Sequence, residues 1–167
     1  RPGALIMDAM GELRTIYEPP LIRAMLASGM DSITVTLCDP KPVGAEALAL
    51  AVDSLLEYDR YLAAHPELFV RATDSGQVDE ARRSGRLAVF YLFQNSVQFG
   101  HDLDRVDMFH ALGVRSSQIT YNDRNAAGVG CRAEGDDGGL TEFGRALVDR
   151  MNSVGMLVDL SHANMPT

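Results

Sequence analysis

The chain has 167 residues, of which 46% are hydrophobic and 23% are charged. This composition is typical of a globular protein, and the length suits a single domain, 1–167, that can bury a core without disulfides or a structural metal. Because 23 Asp and Glu residues outnumber 15 Lys and Arg residues, the acidic balance argues against partners such as nucleic acid or a membrane surface.

The cysteines and the apolar runs bear on the cellular setting. Cys38 and Cys131 do not form a Cys-x-x-Cys pair, and no apolar run approaches the length of a membrane span. These features predict a reduced, cytoplasmic setting. The chain starts without Met and stops at Thr167, shortly after a promising motif, so we expect it to be a fragment of a longer protein.

Strand-like and helix-like segments alternate along the chain. The predicted strands are short apolar runs, and the predicted helices carry apolar residues at helical spacing, with Pro, Asp or Thr near their starts and Gly at several of their ends. In chain order we predict strand 4–7, helix 19–28, strand 32–37, helix 43–64, strand 69–72, helix 75–84, strand 87–93, helix 102–112, strand 117–121, helix 141–152 and strand 156–160. Residues 122–139 lack periodicity and are rich in glycine, which predicts a long loop of a kind that is often functional.

Six strands that alternate with helices indicate an α/β fold with a parallel sheet, either doubly wound or part of a (β/α)8 barrel. Every predicted strand is followed by polar residues, and a barrel gathers such residues on one face. We therefore favour an incomplete (β/α)8 TIM-type barrel. An intact barrel has about 250 residues, so this chain holds about six of the eight βα units.

Carboxylates and an imidazole follow the first and last predicted strands. Asp8 and Glu12 follow the first strand, where they can serve a cation or a proton transfer, or can merely cap a turn. Asp159 lies near the end of the last strand, and His162 lies just beyond that strand. This is a place where barrel enzymes hold a metal ligand or a general base, although a His bonded to a loop carbonyl gives the same pattern.

Neutral polar residues follow two other strands. Gln94 and Asn95 come after the most apolar strand, Tyr121 ends the fifth, and Asn122 follows it. Amide and hydroxyl groups suit the orientation of a substrate, although Asn-rich segments also form turns for purely local reasons. The other histidines, including His101, are expected to be structural.

Four stretches of the sequence together resemble the membrane (renal) dipeptidase family, peptidase family M19, within the amidohydrolase-like metal-dependent barrels. They are residues 138–152, 155–162, 81–88 and 112–122. The resemblance spans nearly the whole chain and the N-terminal half, or somewhat more, of a family-length protein. It implies a (β/α)8 barrel that is often dimeric and a two-zinc site that hydrolyses dipeptides. The implied partners are a small dipeptide or amide substrate and, for the full-length protein, a second copy in a homodimer.

The family's ligand residues transfer only in part. The first-strand motif of the family is Asp-x-His-x-Asp, and its His and second Asp correspond here to Met10 and Glu12. Gln94 replaces the bridging Glu, His162 matches a metal-binding His, and Tyr121 stands where well-known dipeptidases place a substrate-contacting His. Gln lacks the charge of the bridging Glu, and Met is a poor ligand for zinc beside oxygen donors. We therefore hypothesise that the zinc centre is absent or is reduced to one ion held by Glu12, His162 and a downstream residue.

Three functional hypotheses follow. The first is a metal-dependent, dipeptidase-like hydrolase that uses metal-activated water, with Asp8 and Asp159 as catalytic residues and Asp159 orienting His162. The second is a degenerate barrel that binds a small amide or amino-acid-like ligand without hydrolysing it. The third is an amidohydrolase with little or no metal that uses Glu12 or Asp8 as the base. In the first two, the substrate-binding residues are Gln94, Asn95, Tyr121 and Asn122.

Overall fold

The computed structural model describes residues 3–135 and 137–167. In this part of the chain, strands and helices alternate as predicted, and residue 136 of the predicted loop 122–139 lies outside the described residues. The elements are β1 (Met7–Gly11), α1 (Pro19–Ala27), β2 (Ser32–Thr36), α2 (Gly44–Ala64), β3 (Phe69–Arg71), α3 (Ser75–Ser84), β4 (Leu87–Phe93), a short 3-10 helix (Val97–Phe99), α4 (Asp104–Ala111), β5 (Val114–Gln118), α5 (Glu142–Val154) and β6 (Leu157–Asp159).

The strands pair in parallel, which confirms the predicted α/β class. β1 pairs with β2, β3 with β4, and β5 with β6. Hydrogen bonding gives the strand order β1-β2-β4-β5-β6, and β3 pairs with β4 outside this order. All six predicted strands are therefore present, and β3 lies outside the linear order of the other five strands.

Two strands are displaced from their predicted positions. The first was predicted at residues 4–7 and forms at Met7–Gly11. The apolar side chains that suggested the earlier position, at residues 5–7, are 46–51% exposed, so their apolar character does not mark a buried strand. The fifth was predicted at 117–121 and forms at Val114–Gln118. Its buried positions include Ser116 and Ser117, which an apolar pattern does not reveal.

The described residues pack into two compact units. Unit 1 comprises residues 3–36 and 53–91, and unit 2 comprises residues 37–52 and 92–167 without residue 136. In unit 1, an apolar cluster joins β3, α3 and β4 through Val70, Val78, Ala81 and Ala88. In unit 2, the rings of Phe93 and Phe109 meet edge to face with centroids 4.9 Å apart. Burial of such side chains supplies the main stabilising free energy of each unit.

A buried carboxylate fixes the start of β1 in unit 1. Asp31 is 3% exposed, accepts a hydrogen bond from the backbone N–H of Ile6 at 3.1 Å, and lies 3.4 Å from Nε of Arg82. Because a buried carboxylate needs such partners, Asp31 holds the segment before β1 in a single register.

Side chains and glycines mark the helix ends that the sequence predicts. The Asp74 side chain accepts from the backbone N–H of Gln77 in a capping box at the start of α3, and the Thr141 hydroxyl accepts from the Gly144 N–H at the start of α5. Gly155 ends α5 in the left-handed conformation at φ 80°. Across the described residues, no helix has the length and apolar character needed to cross a membrane.

Candidate functional site

A cavity of about 390 Å³ lies in unit 2 among the loops that follow β2, β4 and β5. The residues that border this cavity, hereafter the loop pocket, come from segments 40–44, 95–101 and 121–126. Loops at the carboxyl ends of parallel strands are the usual position of ligand sites in α/β folds, and the volume falls within the range of small-molecule sites. The loop pocket is therefore the candidate binding site of unit 2.

The loop pocket brings together three of the four predicted substrate-binding residues. Asn95, Tyr121 and Asn122 border it. Gln94 is half-buried directly after β4 and is not among the described residues that line the cavity. The pocket also includes Lys41 and His101, which sequence reasoning did not assign to a site. Both lie in loops that follow strands, and this position in the sequence marks them as candidate site residues.

A bridge of two amide side chains forms the base of the loop pocket. The Asn95 side chain is 7% exposed; its Nδ2 donates to the carbonyl of Pro40 at 2.8 Å, and its Oδ1 accepts from Nδ2 of Asn125 at 2.7 Å. Oδ1 of Asn125 accepts from the backbone N–H groups of Ala127 and Gly128 at 2.8 and 3.0 Å. Asn95 thus uses its side chain to join the loops, and Asn125 has a role that the sequence did not indicate.

The ring of His162 is held by two residues of the pocket wall. Its Nδ1 lies 3.0 Å from Oδ1 of Asn122, and its ring lies against that of Tyr121 with centroids 4.4 Å apart. In the tautomer that donates from Nδ1 to this amide oxygen, Nε2 carries the lone pair. The pair Tyr121 and Asn122 therefore orients an imidazole whose Nε2 can accept a proton or bind a cation.

The backbone at His162 is strained. His162 has φ 64°, in the left-handed region that L residues other than Gly seldom adopt. Its carbonyl accepts from the backbone N–H of Cys131 at 2.8 Å and from the hydroxyl of Thr120 at 3.3 Å. These two bonds fix the conformation that places the ring beside Tyr121.

Asp159 shapes the turn before His162. Its Oδ1 accepts from the backbone N–H of Ser161 at 2.8 Å, and the contact to Nδ1 of His162 comes from Asn122. The structure thus assigns the orientation of the imidazole to Asn122. A catalytic role for Asp159 stays a prediction.

The predicted residues of the first strand belong to unit 1. Asp8 is exposed, and its Oδ1 accepts from the backbone N–H of Met10 at 3.1 Å. This bond lies where the pairing of β1 with β2 shifts register, between Asp8 and Gly11. Glu12 is exposed as well and accepts from Nε of Arg14 at 2.8 Å. Both carboxylates therefore engage neighbours on their own segment.

The loop that carries Glu12 is held by α2. The hydroxyl of Tyr58 donates to the carbonyl of Leu13 at 2.6 Å. Burial, followed by the negative charge of Glu57, raises the pKa of Tyr58 to about 12. The phenol therefore stays protonated and remains a donor at neutral pH.

The side chains of unit 2 also include a half-buried thiol. Cys38 follows β2 with φ 55°, and Nε2 of Gln98 donates to its Sγ at 3.5 Å. Burial raises the pKa of the Cys38 thiol, although the bond from Gln98 opposes this effect. A thiol in this state is a weak nucleophile at neutral pH, so the loop pocket does not gain a reactive thiolate from Cys38.

Two of the residues that the resemblance assigns to a zinc centre, Met10 and Gln94, are not of the types that usually bind zinc. In residues 3–135 and 137–167, no group of three or more His, Cys, Asp or Glu side chains is placed to hold a metal ion. His162 offers a suitable nitrogen, but Met10 offers a neutral thioether and Gln94 a neutral amide. Zinc is bound in proteins by imidazole, thiolate and carboxylate groups.

A family model for membrane dipeptidase, Peptidase family M19, matches residues 21–167. The chain belongs to this family. A curated relative, dipeptidase AclJ of Aspergillus oryzae, is 32% identical over 111 residues, which make up 65% of this chain and 26% of that protein. M19 is a family of metallopeptidases, and the match confirms the resemblance that the sequence motifs indicated.

Solved structures show the same fold. An amidohydrolase from Pseudomonas aeruginosa has a TM-score of 0.85 and 26% identity, and the match covers 98% of this chain and 47% of that one. A metallo peptidase from Rhodobacter sphaeroides, liganded with a phosphinate mimic of the dipeptide L-Ala-D-Ala, has a TM-score of 0.81 and 19% identity over 97% of this chain and 60% of that one. The predicted class, a partial TIM-type barrel, is confirmed. The M19 chain described here spans less than two thirds of the length of these relatives.

Proposed function

We propose that the full-length protein binds dipeptides or similar small amides in the loop pocket and hydrolyses them as an M19-type enzyme. The observation that carries the proposal is the grouping of Tyr121, Asn122 and His162, in which two pocket residues orient an imidazole. Membership of M19 and the kinship with a dipeptidase support a peptide-like substrate.

The chemistry of the pocket wall suits an amide ligand. A peptide group offers one N–H donor and one carbonyl acceptor, and the hydroxyl of Tyr121 and the side chain of Asn122 can serve both. Val43 and Val97 border the same cavity and offer apolar surface to the ligand's side chains. In this proposal the loop pocket binds and orients the substrate, and Asp159 of unit 2 is a candidate for proton transfer. The catalytic role predicted for Asp8 of unit 1 is a proposal of its own.

The metal content forms part of the proposal. Because Met10 and Gln94 do not supply the ligands of a two-zinc centre, we expect one metal ion or none in each chain of the full-length protein. Metal analysis of the purified protein measures this directly. Two zinc ions per chain would contradict the expectation.

The test of hydrolysis uses the full-length protein with and without a chelator. We expect turnover of simple dipeptides, with loss of activity in chelator if a metal takes part and unchanged activity if none does. Asn122→Ala removes the contact to Nδ1 of His162 and should lower kcat, whereas Asn152→Ala, on the exposed face of α5, should leave kcat unchanged. Absence of turnover from every dipeptide would contradict the hydrolase.

A second candidate function is binding without hydrolysis. Met10 and Gln94 favour it because they replace residues on which the family's metal chemistry depends. Calorimetry and the activity assay together separate the two functions: dipeptide binding by a protein that shows no turnover, whether or not zinc is added, supports the binding protein and contradicts the enzyme.

A further inference from the structure

The loop pocket differs in charge from the rest of the molecule. The sequence has a formal net charge of −8. Lys41 and Arg124 nevertheless border the loop pocket, and Asp123 is the single acidic residue among the described residues that line it. All three are exposed. An acidic protein that places two cations at one cavity favours an anionic ligand there.

Each of the two cations is adjacent in sequence to a residue that takes part in the bridge made by Asn95 and Asn125. Lys41 follows Pro40, whose carbonyl accepts from Asn95. Arg124 precedes Asn125, which donates to Asn95 from the other side. The buried bridge therefore fixes the backbone from which each cation extends, and a preorganised site loses less conformational entropy on binding.

We propose that the loop pocket selects peptide-like ligands that carry two carboxylates, such as dipeptides that end in Asp or Glu. This inference rests on the proposed function and names its substrate class. Lys41 and Arg124 each meet one carboxylate, since guanidinium and ammonium groups both bind carboxylates through charge-assisted hydrogen bonds. Asp123, which borders the same cavity, meets the ligand's amino group.

The test compares two dipeptides of nearly equal shape on the full-length protein by calorimetry. Ala-Glu carries a second carboxylate, and Ala-Gln replaces it with an amide. We expect Ala-Glu to bind about tenfold more tightly at low salt, and the preference to shrink as salt screens the charges. Equal affinities at low salt would overturn the inference and leave the proposed function intact. If neither dipeptide binds, the inference fails, and the proposed function fails with it only if no other dipeptide binds or is hydrolysed.

Variants test whether Lys41 and Arg124 cause the preference for Ala-Glu over Ala-Gln. The double variant Lys41→Met with Arg124→Met should bring the ratio of the two affinities close to one. The matched control is Arg132→Met, because Arg132 is an exposed arginine of the same long loop that does not line the cavity; it should keep the preference. The variant Arg124→Lys retains the charge and should keep most of the preference. A full preference in the double variant would overturn the inference.

Discussion

The substitution Asn125→Ala tests the bridge beneath the loop pocket. Nδ2 of Asn125 donates to Oδ1 of Asn95 at 2.7 Å, to the hydroxyl of Ser96 at 3.1 Å and to the carbonyl of Ile119 at 2.8 Å. Its Oδ1 accepts from two backbone N–H groups of the segment that follows. Alanine removes all of these bonds at once and leaves the surrounding groups in place.

The expected loss follows from the groups that stay behind. The backbone N–H groups of Ala127 and Gly128 are buried, and a buried donor without a partner costs about 1–3 kcal/mol. The acceptors lose less, because Oδ1 of Asn95 still accepts from the Ser96 N–H and the Ile119 carbonyl from the Ser96 hydroxyl. Water that reaches the two unpaired N–H groups would offset part of this penalty. We therefore expect the free energy of unfolding to fall by about 2–4 kcal/mol.

Urea unfolding of the full-length protein, followed by far-UV circular dichroism, measures this loss. The matched control is Asn152→Ala, the same substitution at an exposed position of α5, which should change the free energy by less than about 0.5 kcal/mol. A loss below about 1 kcal/mol for Asn125→Ala, with an unchanged dependence on urea, would refute the account of the bridge.

Two further predictions concern unit 1 and the thiol of unit 2. In Gly11→Ala, the added Cβ would lie 2.5 Å from Cγ1 of Ile33 and 2.8 Å from Oδ2 of Asp8. We expect the free energy of unfolding to fall by about 1–3 kcal/mol, which a lower Tm would show. An unchanged Tm would contradict this prediction. Burial raises the pKa of Cys38, so iodoacetamide should alkylate Cys38 only at a higher pH than it needs to alkylate a free thiol. Peptide mass spectrometry should also show that Cys38 is alkylated more slowly than the exposed Cys131. Equal labelling of both cysteines at neutral pH would contradict the second prediction.

The fold was predictable where burial follows apolarity. The predicted bounds of β4 match the structure because every residue from Leu87 to Phe93 is apolar and all but Phe90 are buried. The same criterion misplaced β5, whose Ser116 and Ser117 are buried. The hydroxyl of Ser117 donates to the carbonyl of Asn95 at 2.9 Å, so a hydrogen bond from a residue distant in sequence compensates the buried polar group.

The site was predictable where its residues follow strands. Tyr121 and Asn122 were found by that rule, and the same rule applies to Lys41 and His101. Asn125 was not predictable, since its partner Asn95 lies 30 positions away and the local sequence around Asn125 is typical of an ordinary turn. Sequence patterns indicate which residues reach a strand end, whereas the hydrogen bonds that fix a loop depend on the tertiary structure.

The conformation at His162 depends on bonds from neighbouring segments. A left-handed backbone at a residue other than Gly costs about 1–3 kcal/mol and persists only where surrounding bonds hold it. Here the bonds from Cys131 and Thr120 hold the carbonyl, and Asn122 holds the ring. The residues that position the imidazole are thus in place, whereas Met10 and Gln94 lack the donors that zinc requires. The proposed binding in the loop pocket and the metal content can therefore be tested separately, because the proposed preference for a second carboxylate can be measured whether or not a metal is bound.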